Sequence, residues 1–258
     1  MPRLARALAL AAALCLCLFA PDRAPADAPA PFAPGERLTY EISWAFITAG
    51  TGVVEVLPDT VVGGVPARHY RATAQSTPFI DTFYRLRDRM DAYTDLSVRR
   101  SLFYDKKQQE GDYKRDIVLS FDWSKGVLHR YKQGEYRDSM TLDADTLDPL
   151  SMLFAFRSQR LEVGFEFRSP VTDGKEREIG TARVVARETV RTRLGSFDTF
   201  LVEPHMERVG TVFKTAPGAK LQIWITADER KIPVKVKSKV AIGHVTMELV
   251  RIEPGPPG

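Results

Sequence analysis

The sequence predicts an all-β protein, a large antiparallel curved sheet that forms a barrel or half-barrel and carries one main helix at about residues 149–160. Two observations lead to this fold class. From residue 36 onward, apolar and polar residues alternate in about fifteen short runs, as they do in strands that bury one face. Turns that contain glycine or aspartate separate the runs at intervals of about ten residues, which is typical of antiparallel barrels and sandwiches.

The first strand shows the alternation most clearly, because its apolar residues are separated by mostly polar ones. Side chains alternate between the two faces of a strand, so the apolar set shares one buried face. This set is Leu38, Tyr40, Ile42, Trp44 and Phe46. Further strand-like runs follow at residues 51–57, 69–75, 82–92, 98–107, 117–121, 126–132, 136–142, 164–171, 178–192, 197–203, 211–215, 221–226, 232–236 and 243–252.

One segment in the middle of the chain breaks the strand pattern. Asp148 is a suitable N-cap and Pro149 suits the first helical position, and apolar residues recur at helical spacing up to a stop near Gly164. Such a helix either closes one mouth of a barrel or lies across an open sheet. It could also separate two β lobes, at residues 35–145 and 165–252, but we favour one continuous curved sheet.

The N-terminus predicts export. Arg3 and Arg6 precede an uninterrupted apolar run at residues 7–20, and a segment rich in alanine and proline follows. This is the pattern of a secretory signal peptide. We expect a signal peptide at residues 1–26, cleavage after Ala26, and a periplasmic or otherwise exported protein. The run is shorter than the roughly 20 residues that span a bilayer, so we expect no transmembrane segment.

The two cysteines bear on the alternative of a lipoprotein. Cys15 and Cys17 each follow a leucine, where a lipid-accepting cysteine would follow a small residue, so we expect soluble export. Both lie within the signal peptide, which leaves the mature chain without disulfides or cysteine metal sites. We divide that chain into an extended tether at residues 27–34, a single β-rich domain at 35–252 and a flexible tail at 253–258.

Charge and motif content exclude several function classes. The chain has 37 Lys and Arg against 33 Asp and Glu, an excess too small to neutralise a phosphate backbone, so we expect no nucleic-acid partner. The four histidines are scattered, and the sequence contains no zinc-protease, phosphate-loop, dinucleotide-binding or serine-hydrolase motif. We expect no metal, no cofactor and no enzymatic activity, and we expect a monomer.

The segment at residues 82–92 holds the most informative polar position. As a strand it would place Asp88 on the same face as Tyr84, Leu86 and Met90. A carboxylate on an apolar face needs a partner or a cavity, because burying it alone is costly. Asp88 is therefore either a polar group in a ligand pocket or a buried carboxylate bonded to a backbone turn or to Arg157. The opposite face would carry an arginine stripe, which is either solvated or suited to anionic headgroups. That stripe is Arg85, Arg87 and Arg89.

Large aromatic side chains accompany this carboxylate in the candidate site. In a closed small barrel they would fill the interior, whereas in a wider or open one they would line a cavity for an apolar ligand. The predicted ligand-lining residues are Tyr40, Trp44, Tyr84, Asp88 and Trp224.

Several spaced motifs resemble one protein family over nearly the whole mature chain. The residues that carry the resemblance are Phe32, Gly35, Glu36, Leu38, Tyr40, Ile42 and Trp44, then residues 47–50 and 83–88, the helix at 148–157, residues 195–199 and 221–234, and Gly243. Together they are similar to the DUF3108 family of exported bacterial proteins. That resemblance implies an exported location and a β-rich fold, and it implies no catalytic residues.

A second, more distant resemblance concerns one hairpin. The spacing of Trp224, Asp228 and Pro233 is similar to that in the periplasmic lipoprotein-carrier and sigma-factor-regulator fold, an open β half-barrel with a hydrophobic concavity. The resemblance implies binding of lipids or acylated polypeptides.

The sequence therefore predicts an exported, non-enzymatic protein that binds a hydrophobic or amphipathic envelope ligand, such as a lipid, an acyl chain or a glycolipid. An envelope protein is a further expected partner. Two alternatives remain open. One is a solid-core envelope scaffold that acts through surface contacts, and the other is a glycan or lipid hydrolase that works through paired carboxylates.

Overall fold

The structure, a computed structural model, describes residues 30–206, 209, 221–239 and 243–255. The first half of this part of the chain contains eight strands and a short helix: β1 (Arg37–Trp44), β2 (Ile47–Val62), β3 (Val65–Ser76), α1 (Pro78–Asp81), β4 (Arg87–Asp95), β5 (Ser101–Glu110), β6 (Tyr113–Asp122), β7 (Val127–Lys132) and β8 (Glu135–Thr141). A longer helix and six strands follow: α2 (Pro149–Arg157), β9 (Glu166–Thr172), β10 (Arg177–Thr192), β11 (Gly195–His205), β12 (Leu221–Thr226), β13 (Pro233–Lys239) and β14 (His244–Glu253).

All of these strands join one antiparallel, curved sheet. Its order is β8-β7-β6-β5-β4-β3-β2-β1-β14-β13-β12-β11-β10-β9. Consecutive strands therefore pair with each other except β8 and β9, and β1 pairs in addition with the distant β14. The all-β fold and the single continuous sheet are thus confirmed. The predicted run at 211–215 lies outside the described residues.

The sheet is not closed by backbone pairing, and β8 and β9 are its edge strands. Side chains connect the two edges instead. The Thr172 hydroxyl of β9 lies 3.5 Å from the Met140 sulfur of β8. The Arg177 guanidinium at the start of β10, the strand next to that edge, donates to the Thr141 carbonyl of β8 at 2.9 Å. The sheet is therefore a half-barrel whose edges approach each other without completing the ladder.

Helix α2 begins where the sequence predicts. The Asp148 carboxylate accepts hydrogen bonds from the backbone N–H groups of Leu150 and Ser151, both at 2.9 Å, and Pro149 occupies the first turn, where no N–H is needed. The helix ends at Arg157, within the predicted range of 149–160. Its predicted presence and cap are confirmed.

Helix α2 packs on one face of the sheet, which we call the inner face. The Phe154 ring stacks on Tyr70 at a centroid distance of 3.8 Å, and Phe32 meets both rings edge-on. Phe32 is almost fully buried, although it lies within the segment predicted as an extended tether. The last residues of that segment therefore belong to the core, because an aromatic ring there completes the packing of α2.

A buried ion pair fixes the C-terminal end of α2. The Arg157 side chain is fully buried and donates to both carboxylate oxygens of Glu36, at 2.8 and 3.1 Å. It also donates to the carbonyls of Lys231 and Arg230 in the turn between β12 and β13. One guanidinium thus joins α2, the start of β1 and a distant turn.

The strand predicted at residues 82–92 begins only at Arg87. The Thr77 side chain caps the short helix α1, and the N–H groups of Phe83 and Tyr84 continue its turn by bonding to the Ile80 carbonyl. Tyr84 therefore lies outside β4 and does not share a strand face with Asp88. The alternation in this segment misleads because a Thr-Pro helix start precedes it.

Among the described residues, no helix is long and apolar enough to cross a bilayer.

Candidate ligand-binding site

An apolar pocket of about 100 Å³ lies between α2 and the inner face of β10, β11 and β12. Helix α2 supplies Met152, Leu153 and Phe156 to one wall. None of the lining residues carries a charge. The others are Pro149, Ala182, Val202, Pro204, Met206, Leu221, Ile223 and Ile225.

Strand alternation builds the sheet wall of this pocket. Ile223 and Ile225 lie two residues apart on β12, so they point to the same face. Ile223 pairs with Val202 across the β11–β12 ladder, which adds a third apolar side chain to that wall. The apolar wall is thus a direct product of the Leu-Gln-Ile-Trp-Ile-Thr sequence of β12.

Trp224 lies between these isoleucines and points to the opposite, outer face. Its indole N–H donates to the Glu188 carboxylate at 2.5 Å, and the Lys235 ammonium lies 5.6 Å from its ring centroid. The far end of the β10–β11 hairpin folds over this face, where Arg193 donates to both carboxylate oxygens of Glu41. Trp224 is therefore buried beneath a hairpin and is not part of the apolar pocket.

Tyr40 lies on the inner face of β1 and is only 2% exposed. Its hydroxyl donates to the Pro233 carbonyl at 2.9 Å. Burial raises the pKa of Tyr40 above its ordinary value, so the phenol stays protonated. The residue packs into the core and does not line the pocket.

Asp88 occupies the inner face at the start of β4. It accepts a hydrogen bond from the Gln109 backbone N–H at 3.1 Å and lies 3.5 Å from the Gln108 side-chain amide. Burial raises the pKa of Asp88. The sequence analysis considered a backbone turn or Arg157 as the partner of a buried Asp88. The structure provides the backbone N–H of Gln109, whereas Arg157 is paired with Glu36.

A polar network connects Asp88 with Tyr84. The Gln108 amide donates to one oxygen of Glu110 at 3.1 Å, and the Tyr84 hydroxyl donates to the other at 3.2 Å. The structure thus brings together two of the five predicted residues through Gln108 and Glu110, neither of which the sequence analysis selected. Gln108 and Glu110 lie an even number of positions from the buried Tyr104 along β5, so all three side chains point to the same face. This spacing could have identified Gln108 and Glu110 from the sequence.

Lys106 extends the polar part of the inner face. Burial lowers the pKa of its ammonium, and the nearby positive charge of Arg115 lowers it further. The charges of Asp88, Asp173 and Glu110 act in the opposite direction. One stretch of the inner face, along β4 and β5, is therefore ionic, whereas the stretch below α2 is apolar.

Trp44 and Tyr84 belong to a set of exposed apolar side chains at one end of the sheet. The exposed fraction is 99% for Phe46 and 76% for Phe83. A hydrogen bond from the Thr77 N–H to the Ala49 carbonyl, 2.9 Å long, joins the two segments that carry these side chains. We call this set the hydrophobic rim: Trp44, Phe46, Ile47, Phe79, Phe83 and Tyr84.

Within the described ranges, no three His, Cys, Asp or Glu side chains lie close enough together to hold a metal ion.

The fold and the pocket define an open, curved antiparallel half-barrel with one helix on its inner face. The chain belongs to the family DUF3108, a protein family of unknown function, whose model matches residues 39–250.

Solved structures of other proteins share parts of this architecture. A beta-barrel-like protein of the DUF1849 domain of unknown function, from Brucella abortus, is 10% identical, with a TM-score of 0.54 over 88% of this chain and 100% of its own. This likeness supports the fold alone. No curated protein sequence matches the chain.

Two further solved structures match with lower scores. One, from Bacteroides fragilis, is described as an exported protein with a YmcC-like fold and is 13% identical, with a TM-score of 0.38 over 86% of this chain and 97% of its own. The other is described as a lipoprotein from Parabacteroides distasonis and is 9% identical, with a TM-score of 0.36 over 88% of this chain and 100% of its own.

Proposed function

We propose that this protein is an exported, non-enzymatic binding protein that holds the apolar chain of a cell-envelope lipid or acylated molecule against the inner face of its half-barrel. The observation that carries the proposal is the apolar pocket between α2 and β10–β12. Burying an alkyl chain there would stabilise the complex by about 0.8 kcal/mol for each buried CH₂ group.

The chemistry of the lining supports an alkyl ligand. Every lining side chain is apolar, so the pocket offers no charge or hydroxyl to orient a sugar or a nucleotide. Met152 and Met206 have flexible thioether side chains that adapt to chains of different shape. An engineered cavity of roughly 150 Å³ can bind benzene, so a pocket of about 100 Å³ suits the end of an acyl chain rather than a whole lipid.

The exported location rests on the N-terminal sequence. The charged start and the apolar run at residues 7–20 form a signal-peptide pattern, which would deliver the half-barrel to the compartment where acylated envelope molecules occur.

The first test fills the pocket. Ile223 is half-buried and lines the pocket, so Ile223→Trp should occupy the space of the ligand. We expect the affinity for a fluorescent fatty acid such as cis-parinaric acid to fall at least about tenfold, which corresponds to about 1.4 kcal/mol. Native mass spectrometry of protein purified from its own envelope should show an acylated ligand on the wild type and none on this variant.

Gln222→Trp is the matched control, because Gln222 is the preceding residue on β12, is equally half-buried and faces away from the pocket. We expect it to bind like the wild type. Equal loss of binding in both variants would locate the ligand elsewhere. A wild type that neither carries a lipid nor binds the fatty acid would refute the proposed function.

A further inference from the structure

We infer that a cationic groove on the β5–β6 hairpin binds the phosphate group of an anionic ligand. The groove has a volume of about 280 Å³ and lies beside the start of β4. It is lined by four cationic residues, one acidic residue and three glutamines. These are Arg87, Lys107, Lys114, Arg115, Asp116, Gln108, Gln109 and Gln133.

The cations of the groove are only partly neutralised within the protein. Arg87 is held by Asp81 at 2.6 Å, and the Lys107 ammonium lies 3.7 Å from Asp105. In the part of the chain that the structure describes, Lys114 and Arg115 form no ion pair. Against the four cations stand Asp116 in the lining and the paired Asp81 and Asp105, so the groove keeps one excess positive charge. The Gln109 and Gln133 amides can donate hydrogen bonds there, whereas the Gln108 amide donates to Glu110 on the inner face.

Phosphate fits this donor set. Ammonium and guanidinium groups form short, charge-assisted hydrogen bonds to phosphate oxygens, and glutamine amides can supply further donors. A concave site concentrates the field of its charges, which attracts an anion more strongly than scattered surface lysines do. A carboxylate ligand would use fewer of these donors, because it has only two oxygens.

The surroundings of the groove favour a lipid as the source of the phosphate. The Arg85 carbonyl accepts a hydrogen bond from the Gly111 N–H at 2.7 Å, which joins the β5–β6 turn to the segment that carries Phe83 and Tyr84. The hydrophobic rim is therefore continuous with the hairpin that forms the groove. Exposed aromatic side chains beside cations are the combination that binds the interface of an anionic bilayer.

The test uses the full mature chain and two phosphate sources. One is vesicles of phosphatidylglycerol and phosphatidylcholine, with pure phosphatidylcholine for comparison, and the other is free glycerol phosphate. The double variant Lys107→Glu and Lys114→Glu should bind phosphatidylglycerol vesicles at least about tenfold more weakly than the wild type. The double variant Lys107→Gln and Lys114→Gln should show a smaller loss.

The control changes the net charge by the same amount elsewhere. Arg183→Glu and Arg191→Glu alter two exposed cations on β10, and we expect vesicle binding to stay within about twofold of the wild type. Circular dichroism melting verifies that each variant is folded.

The outcomes separate the two phosphate sources. Vesicle binding that depends on Lys107 and Lys114 supports a lipid headgroup, and binding of glycerol phosphate without vesicle binding supports the same site with a soluble ligand. Absence of both, or equal loss in the β10 control, overturns the inference. The fatty-acid measurement on Ile223→Trp is independent of these charges, so failure of either proposal leaves the other testable.

Discussion

Arg157 and Glu36 form a buried ion pair that connects the end of α2 to the residue before β1, 121 positions apart in the sequence. Both side chains are almost inaccessible to water, and the guanidinium bonds to the carboxylate through two nitrogens. This pair holds α2, and with it one wall of the apolar pocket, against the sheet.

Removing the cation should therefore destabilise the fold. In Arg157→Met, Glu36 keeps a buried charge without its partner, and we expect the free energy of unfolding to fall by about 3–5 kcal/mol. Chemical denaturation at pH 7 measures this change. Arg187→Met, which breaks the exposed pair with Asp198, serves as the control and should leave the denaturation midpoint nearly unchanged. Similar midpoints for the two variants would contradict the role of Arg157.

Asp91 should make stability depend on acid pH. Burial alone would raise its pKa, but hydrogen bonds from Arg89, His69 and Arg71 outweigh burial and hold the pKa below its ordinary value of 3.8. Because the folded-state pKa is depressed, the stabilisation is complete above the unfolded-state pKa and is lost as the pH falls toward the folded-state pKa.

We expect Asp91→Asn to lose about 2 kcal/mol at pH 7, since three hydrogen bonds to a charged acceptor are weakened. Urea denaturation at pH 7, 5 and 3.5 should show the gap between wild type and variant narrowing below pH 4. A gap that stays constant over this range would rule out titration of Asp91 as its cause.

The contribution of Asp88 to the pH dependence of stability should have the opposite sign to that of Asp91. Burial raises its pKa, so the charged form is disfavoured in the folded protein, and its contribution becomes more favourable as the pH falls through the folded-state value. Asp88→Asn retains an oxygen that can accept from the Gln109 N–H, so we expect the urea midpoint at pH 7 to rise. The gain should vanish below the ordinary carboxyl pKa, where Asp88 is neutral in both states. A lower midpoint at pH 7 would indicate that the negative charge is required in the fold.

Gly50 and Gly52, neighbours on the same face of β2, should differ in their tolerance of a methyl group. A Cβ at Gly50 would overlap the backbone carbonyl of Gln75, whereas at Gly52 its nearest neighbour is the flexible end of Met247 at 2.8 Å. We expect Gly50→Ala to lower the free energy of unfolding by about 1–3 kcal/mol and Gly52→Ala by less than about 1 kcal/mol. Thermal denaturation of both variants tests the order, and equal losses would contradict it.

Local sequence signals predicted the elements of this fold well. Alternation of polar and apolar residues marks the strands, and Asp148 with Pro149 marks the start of α2, because both signals act over a few residues. The same signals failed at Tyr84, where the short helix α1 takes precedence over an apparent strand.

The candidate site depended on long-range contacts, which the sequence does not encode locally. Trp224 looked like a cavity residue, but a hairpin folded over the outer face buries it there instead. Glu110 and Gln108 were overlooked because a polar residue at a strand end usually faces solvent. Only the pairing of β4 with β5 reveals that they lie beside Asp88.

The pairing of β1 with β14 has a consequence for the order of folding. Residues 37–44 have β2 as a neighbour soon after synthesis, but their other neighbour is β14, which ends at residue 253. Until β14 is made, the second edge of β1 stays open, and the strands form two separate meanders, β1–β8 and β9–β13. Joining them requires closing a loop of about 200 residues, a slow step that comes late in folding. A ribosome or translocation pore that releases the chain from its N-terminal side thus delays completion of the sheet until β14 is free.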